Sequence, residues 1–194
     1  FDAIIMCTGY LFHFPFMPDE LRLQTHNCLY PANLHKGIFW QPNPKLIYLG
    51  MQDQYFTFNM FDAQAWYARD VMMGDIELPE LVHREADEKK WLATYAKCVT
   101  VSDSIDFQAA YIRDLTNATD YPEFAVEKQG EILKEWQKDK TDNIMTFREK
   151  AYRSTLTGTL SPELPEPWLD VLDDSLEHFL NLTFVKPKKR KKVS

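Results

Sequence analysis

Glycine is scarce in this 194-residue chain, and none of its six glycines stands two positions from another. Without a Gly-x-Gly-x-x-Gly run, no loop here can wrap a pyrophosphate in its backbone amides. Cysteine is equally sparse. Cys7, Cys28 and Cys98 are odd in number and form no Cys-x-x-Cys pair, so they read as reduced cytosolic thiols packed as small hydrophobes. His13, His26, His35, His83 and His178 show no His-x-x-x-His spacing, and no metal site is expected. Apolar runs fall far short of the roughly 20 residues that a membrane helix needs. Positive charge is thin outside the tail Lys186–Lys192: residues 1–185 carry 16 basic and 29 acidic side chains. That balance leaves no electrostatic footprint for nucleic acid or an anionic membrane. No nucleophile–base pair stands out either, so any chemistry is expected to be carried by a cofactor.

What the chain does contain is apolar and aromatic residues, 45% and 14% of the total, enough for a sizeable core. Short β-type runs, Ala3–Cys7, Ile38–Trp40 and Leu46–Leu49, lie among dense turn residues in the first fifty positions. After Gly50 the character becomes helical. One helix is predicted from about Asn59, read as its cap, to Gly74, a residue suited to a left-handed helix end. A second is predicted to start at Pro79 and to run through Trp91 and Tyr95. A third follows Ser102 as cap, with Ile105, Phe107, Ala110, Tyr111 and Leu115 on its apolar face. Further helices are predicted over 131–137, 142–152 and 167–180. Phe1–Met6 reads as a mid-domain strand, so a longer parent polypeptide is expected. The run Lys186-Pro-Lys-Lys-Arg-Lys-Lys-Val has the form of a nuclear import signal, and equally that of a solvated basic tail.

The stretch from Lys45 to Gly74 says most about function. An apolar strand stops at Gly50, a polar and aromatic loop follows, and an apolar helix then points its N-terminus back at the strand end. Unpaired amides and the helix dipole converge there, making a place for an anionic group. Ligands of α/β sheets sit outside the carboxyl ends of strands in this way.

Asp2-Ala-Ile-Ile-Met-Cys-Thr-Gly-Tyr10 and Gly50-Met-Gln-Asp-Gln54, followed by Phe58-Asn-Met-Phe-Asp-Ala-Gln-Ala-Trp66, together resemble the C-terminal half of flavin-containing monooxygenases. The resemblance is strongest to the bacterial trimethylamine monooxygenases and reaches to about Leu180. It implies an α/β fold: the C-terminal portion of a flavoprotein with two dinucleotide-binding domains, mainly helical here with a few strands of an incomplete sheet. Residues 1–182 would belong to the FAD-binding domain, with a helical extension over 79–182, and 183–194 would be a flexible tail. The implied cofactors are FAD and NADP, and the implied location is cytoplasmic. The implied reaction, with a small tertiary amine and O2, converts trimethylamine to its N-oxide through a C4a-hydroperoxyflavin. The N-terminal half of the same enzyme is the implied partner, in a homodimer when complete.

The same resemblance assigns residues. Gln54 and Thr57 would be donors to the flavin, Arg148 would hold NADP, and Trp136 would lie near the nicotinamide end. Thr8-Gly9-Tyr10 would be a structural hinge, and no catalytic side chain is assigned. Two alternatives stay open: an S-oxygenating relative on the same scaffold, and a free-standing helical module that binds a protein. The chain departs from the family by lacking both Gly-x-Gly-x-x-Gly motifs and the Phe-x-Gly-x-x-x-His sequence. It is therefore expected to bind no FAD tightly by itself.

Overall fold

A computed structural model of the chain describes residues 3–6, 12–155 and 157–160. The Thr8-Gly9-Tyr10 turn, the helix predicted over 167–180 and the basic tail lie outside the described residues.

After a short 3-10 turn at Asp19–Leu21, a small antiparallel hairpin pairs β1 (Leu34–His35) with β2 (Phe39–Trp40), in register Leu34↔Trp40 and His35↔Phe39. Its turn places Lys36 and Gly37 at φ 54° and 63°, the paired positive φ values that suit the twist of a tight hairpin. The run expected at Leu46–Leu49 is reduced to a bridge between Phe39 and Ile47. Flanking bonds extend it: Trp40 N donates to Leu46 O (3.0 Å) and Tyr48 N to Ile38 O (2.9 Å). Residues 3–6, expected within a strand, form none. Ile4, Ile5 and Met6 stand 79%, 86% and 75% exposed. Among the described residues no neighbouring strand is paired to them, and apolar alternation alone does not make a strand.

Four helices follow: α1 (Thr57–Met73), α2 (Leu81–Tyr95), α3 (Val101–Thr116) and α4 (Val126–Asp142). α1 starts earlier than predicted. Phe56 occupies its cap position with no side-chain cap bond, and Asn59 instead lies in the first turn and accepts from Gln129 Nε2 (3.0 Å). Gly74 ends α1 as expected, at φ 84°. Glu80, not Pro79, precedes α2.

α3 is capped by Thr100 rather than Ser102. The reason is the acid three residues on: Asp103 N donates to the Thr100 hydroxyl and Thr100 N donates to the Asp103 carboxylate. The Thr100 and Val99 amides, both donating to the Asp103 carboxylate, hold it below its usual range. Ala110 is exposed, and Gln108 and Ala109 take the inner face in its place. α4 extends beyond the predicted 131–137 at both ends. No helix spans 142–152. Asn143 leaves the helix in an extended conformation, and its Oδ1 accepts from Met145 N (3.1 Å), a local bond that competes with helix continuation.

α3 is the central helix, packed against α1, α4 and α2, and α2 in turn packs against β1 of the hairpin. Their shared core includes Met60 and Tyr67 from α1, Ile105, Ile112 and Leu115 from α3, and Tyr30, Ile38 and Phe39 from the hairpin side. Each large apolar side chain so buried contributes about 1.5–3 kcal/mol. A smaller cluster of Leu23, Leu34, Trp40 and Tyr48 backs the hairpin. The result is a mainly helical unit with a two-stranded sheet, in keeping with part of a flavoprotein fold.

Candidate functional site

The loop from Gly50 to Phe56 has an inner and an outer side. Gly50 sits at φ 74°, and a Cβ there would lie 2.7 Å from the Phe61 ring, so the chain can turn this tightly only with glycine. On the inner side, Gln52 is 1% exposed and Phe56 is 2% exposed. Gln54 and Thr57 are half-buried on the other side. Gln54 N donates to Asp53 Oδ1 (3.0 Å), and its Nε2 makes a long bond of 3.4 Å to Gly50 O.

Thr57 opens α1, and its hydroxyl has no hydrogen-bond partner among the described residues. No side chain caps the first amides of α1, and its first turn carries no acid. The positive helix end and the Thr57 hydroxyl thus stand without a capping partner at the start of α1, and Gln54, three residues earlier, has its side-chain amide held only by the long bond to Gly50 O. A negative group placed there would gain about 0.3–1 kcal/mol if exposed and up to about 2 kcal/mol if partly buried. Beside it, Phe58, Asn59, Phe61, Asp62 and Ala65 line a groove of about 420 Å³.

The other two predicted residues form a separate group. Phe147 is buried at 3% exposure. The Trp136 ring meets it edge-on at 5.2 Å, and the Arg148 guanidinium lies 4.4 Å from its centroid. Lys140 Nζ stands 5.4 Å over the Trp136 ring. The neighbouring cations separate clearly in their partners. Lys150 bonds Glu135 (2.6 Å) and Asp139 (2.8 Å), with its pKa raised by Asp139 first and Glu135 second. Arg153 donates to Gly158 O. Arg148 is exposed and makes no ion pair with any described residue.

α4 connects the two groups. Gln129 touches Asn59 at the start of α1, and Trp136 stands about 10 Å further along the same helix. Trp136 and Arg148 meet on the Phe147 ring, Gln54 and Thr57 lie three residues apart at the start of α1, and none of the four lines the groove beside α1. Two other clefts lie elsewhere, one around Gln41 and Glu88 and one around Trp91 and Asp114.

Sequence reasoning missed Gln64 and Gln108, both 0% exposed, which bond the inner side of the loop. Their signal was available: each is a lone amide at a core-facing position of an otherwise apolar helix stretch.

The profile of the flavin-binding monooxygenase-like family matches residues 1–139. Among curated proteins, trimethylamine monooxygenase of Methylocella silvestris is 57% identical over 180 residues, covering 93% of this chain and 40% of its own length. The trimethylamine monooxygenase of Pelagibacter ubique is 50% identical over 180 residues, 93% of this chain and 41% of its own length. Among solved structures, Tmm from Pelagibacter sp. strain HTCC7211 matches with a TM-score of 0.81 and 47% identity, covering 89% of this chain and 39% of that one. The chain thus spans about 40% of the length of these relatives.

Proposed function

Because the chain belongs to the flavin-binding monooxygenase-like family, we propose that it forms the C-terminal part of an FAD- and NADPH-dependent enzyme that N-oxygenates small tertiary amines, trimethylamine among them. The observation that carries this reading is the 57% identity to a trimethylamine monooxygenase across 93% of the chain. Such identity disfavours the free-standing binding module. It leaves S-oxygenation as the competing outcome, since a soft sulfide sulfur is oxidised by the same kind of chemistry.

In this reading the donor edge of Gln54, Thr57 and the α1 N-terminus meets the flavin. The edge fits that group: its donors are uncapped, and a reduced flavin carries negative charge that such donors stabilise. When bound, the flavin supplies hydride acceptance and oxygen activation. This chain's residues orient it and exclude water, with Phe56 and Phe61 packed behind the donors. Arg148 offers a planar fork for a phosphate or amide of NADP, and Trp136 a flat face near it. Lacking Gly-x-Gly-x-x-Gly, the chain leaves both pyrophosphates to the part of the enzyme that its relatives have and this chain does not span. We take residues 1–182 as this contribution and assign the enzyme to the cytoplasm as a homodimer. The matched trimethylamine monooxygenases come from bacteria, cells without a nucleus, which favours a plain basic tail over an import signal.

The test uses the full-length enzyme containing this sequence, with product analysis over a panel of methylated amines and sulfides. The expected outcome is NADPH-dependent trimethylamine N-oxide, with sulfides poorer. Arg148→Ala should raise KM for NADPH about tenfold with kcat less affected. A preference for sulfides, or no oxygenation of either, would overturn the amine assignment.

A further inference from the structure

Two buried glutamines hold the loop backbone from behind. On α3, Gln108 accepts from Tyr55 N (2.8 Å) through its Oε1 and donates through its Nε2 to Asp53 O. On α1, Gln64 Oε1 accepts from Gly50 N (2.9 Å). Asp53 N also donates to Cys28 O (2.8 Å), so the loop backbone is fixed at Gly50, Asp53 and Tyr55.

The direction of every bond in this network follows from the backbone. An N–H can only donate, so Gly50 N assigns the Gln64 oxygen, and the Gln64 nitrogen must face the other way. That nitrogen donates to Gln52 Oε1 (2.9 Å) and to the Tyr111 hydroxyl (2.9 Å). Gln52 Nε2 in turn faces Tyr111 Oη (3.3 Å) and Gly37 O (3.4 Å). Tyr111, having accepted, donates its own proton to Lys36 O (2.7 Å). Burial in this network drives the Tyr111 hydroxyl well above the ordinary phenol range, so it stays a neutral donor.

A neutral amide supplies one donor and one acceptor at each of these sites at every pH, which an ionised carboxyl cannot. A carboxylate would repel the Asp53 carbonyl, and an apolar side chain would strand two backbone groups without partners. Gln54 lies between the two residues that Gln108 clamps, and Thr57 follows two residues after them. We propose that Gln108 and Gln64 are positioning residues: they set the placement of the Gln54 and Thr57 donors, and through them the hold on the flavin edge. This rests on the reading that Gln54 and Thr57 border the flavin.

The experiment uses the full-length enzyme and four variants: Gln108→Leu, Gln108→Glu, Thr57→Val, and Leu115→Ala as a core control on the same helix. Hydrogen exchange of the peptide spanning 50–58, FAD affinity, and the visible spectrum of bound FAD are measured in each. Gln108→Leu is expected to speed exchange of that peptide and to weaken FAD about tenfold. Leu115→Ala, which leaves a cavity away from the loop, should lower thermal stability without moving the flavin spectrum.

Gln108→Glu provides the readout that a merely structural role would not move. Its carboxyl can donate to Asp53 O only when protonated, so FAD affinity should recover as pH falls. The wild-type titration over the same range subtracts what the native groups contribute, among them Asp53 in the loop and Asp106 on α3, which pairs with Lys134 of α4. This arm also serves if Gln108→Leu does not fold. Flavin binding lost equally in Gln108→Leu and Leu115→Ala, or a Gln108→Glu variant without pH recovery, would overturn the inference. If Thr57→Val leaves FAD affinity and spectrum unchanged while the 50–58 peptide loosens in Gln108→Leu, the site reading fails and takes the inference with it.

Discussion

The Gly50–Thr57 loop and the Asn143–Tyr152 segment each carry proposed cofactor residues, yet they are held by different physics. The loop is fixed by neutral amides with no solvent exposure, Gln64 and Gln108, bonded to its backbone. The segment is held by one buried ring, Phe147, and by Lys150 and Tyr152 meeting Asp139 at the surface. Buried neutral hydrogen bonds are insensitive to salt, whereas exposed ion pairs are screened over about 10 Å at 0.1 M ionic strength. In the proposed assignment, the rigid loop faces the cofactor that stays bound, and the loosely tied segment faces the one that exchanges in every turnover.

The most damaging change should strike behind the rigid loop. Gly37 has φ +63°, and a Cβ there would collide with Gln52 Nε2 and crowd the Tyr111 hydroxyl. Gly37→Val adds a β-branched side chain where positive φ is strained and breaks the amide network, for an expected cost of about 4 kcal/mol. Denaturant unfolding would show it as a lowered midpoint with an unchanged slope. Phe147→Ala should come next, at about 3 kcal/mol, but confined to the segment. Limited proteolysis should cut within 143–152 while exchange of the α1 and α3 amides stays as in the wild type. If the core loosens as well, the two regions are not independent.

Sequence patterns revealed the helices wherever an apolar stripe was long, as in α1 and α3, because burial of that stripe is what forms the helix. They placed starts poorly. Caps depend on a second residue, as Asp103 decided for Thr100 over Ser102, and α1 begins at Thr57 behind Phe56, with no capping side chain. The Gly50 turn and the helix that follows it were readable from the sequence alone. What held the loop between them was not. Gln64 and Gln108 stand at core-facing positions of their helices, yet only the fold shows which backbone groups they and Gln52 satisfy. The run at 142–152 failed for the opposite reason, a local Asn143 turn outweighing weak helical periodicity.

His35 sharpens the contrast between buried polar groups with and without partners. It is 2% exposed, neither ring nitrogen has a hydrogen bond, and Asp87 Oδ2 stands 3.7 Å from Nδ1. Burial lowers its pKa to about 4, against the smaller raising influence of Asp87, while Lys36 and Arg84 nearby add to the lowering. A folded-state pKa below the unfolded value means that the unfolded chain takes up the proton first. Stability should therefore be full above about 6.5 and fall as pH drops towards 4, by about 1–3 kcal/mol. Urea melts of the wild type against His35→Phe over that window would check this: the stability of the wild type relative to the variant should fall as the pH drops. A constant difference would mean that His35 is protonated in the folded state or reached by water.

The smallest effect is expected at the surface tie of the segment. Lys150 is held between Glu135 and Asp139, and Lys150 with Tyr152 lowers the Asp139 pKa. The lowered carboxyl supports the tie above the ordinary aspartate range and loses it as pH falls through the folded value. The raised Lys150 pKa keeps it up to alkaline pH. Lys150→Met should thus change the protease sensitivity of 143–152 by a few-fold at most, and only at low salt. Addition of salt should move the wild type towards the variant, because screening removes the same interaction that the substitution does. The Gly50–Thr57 loop provides the internal control, since its exchange rates should not respond to salt in either protein. A salt response in the loop as large as that in the segment would mean that the loop, too, is held by charge.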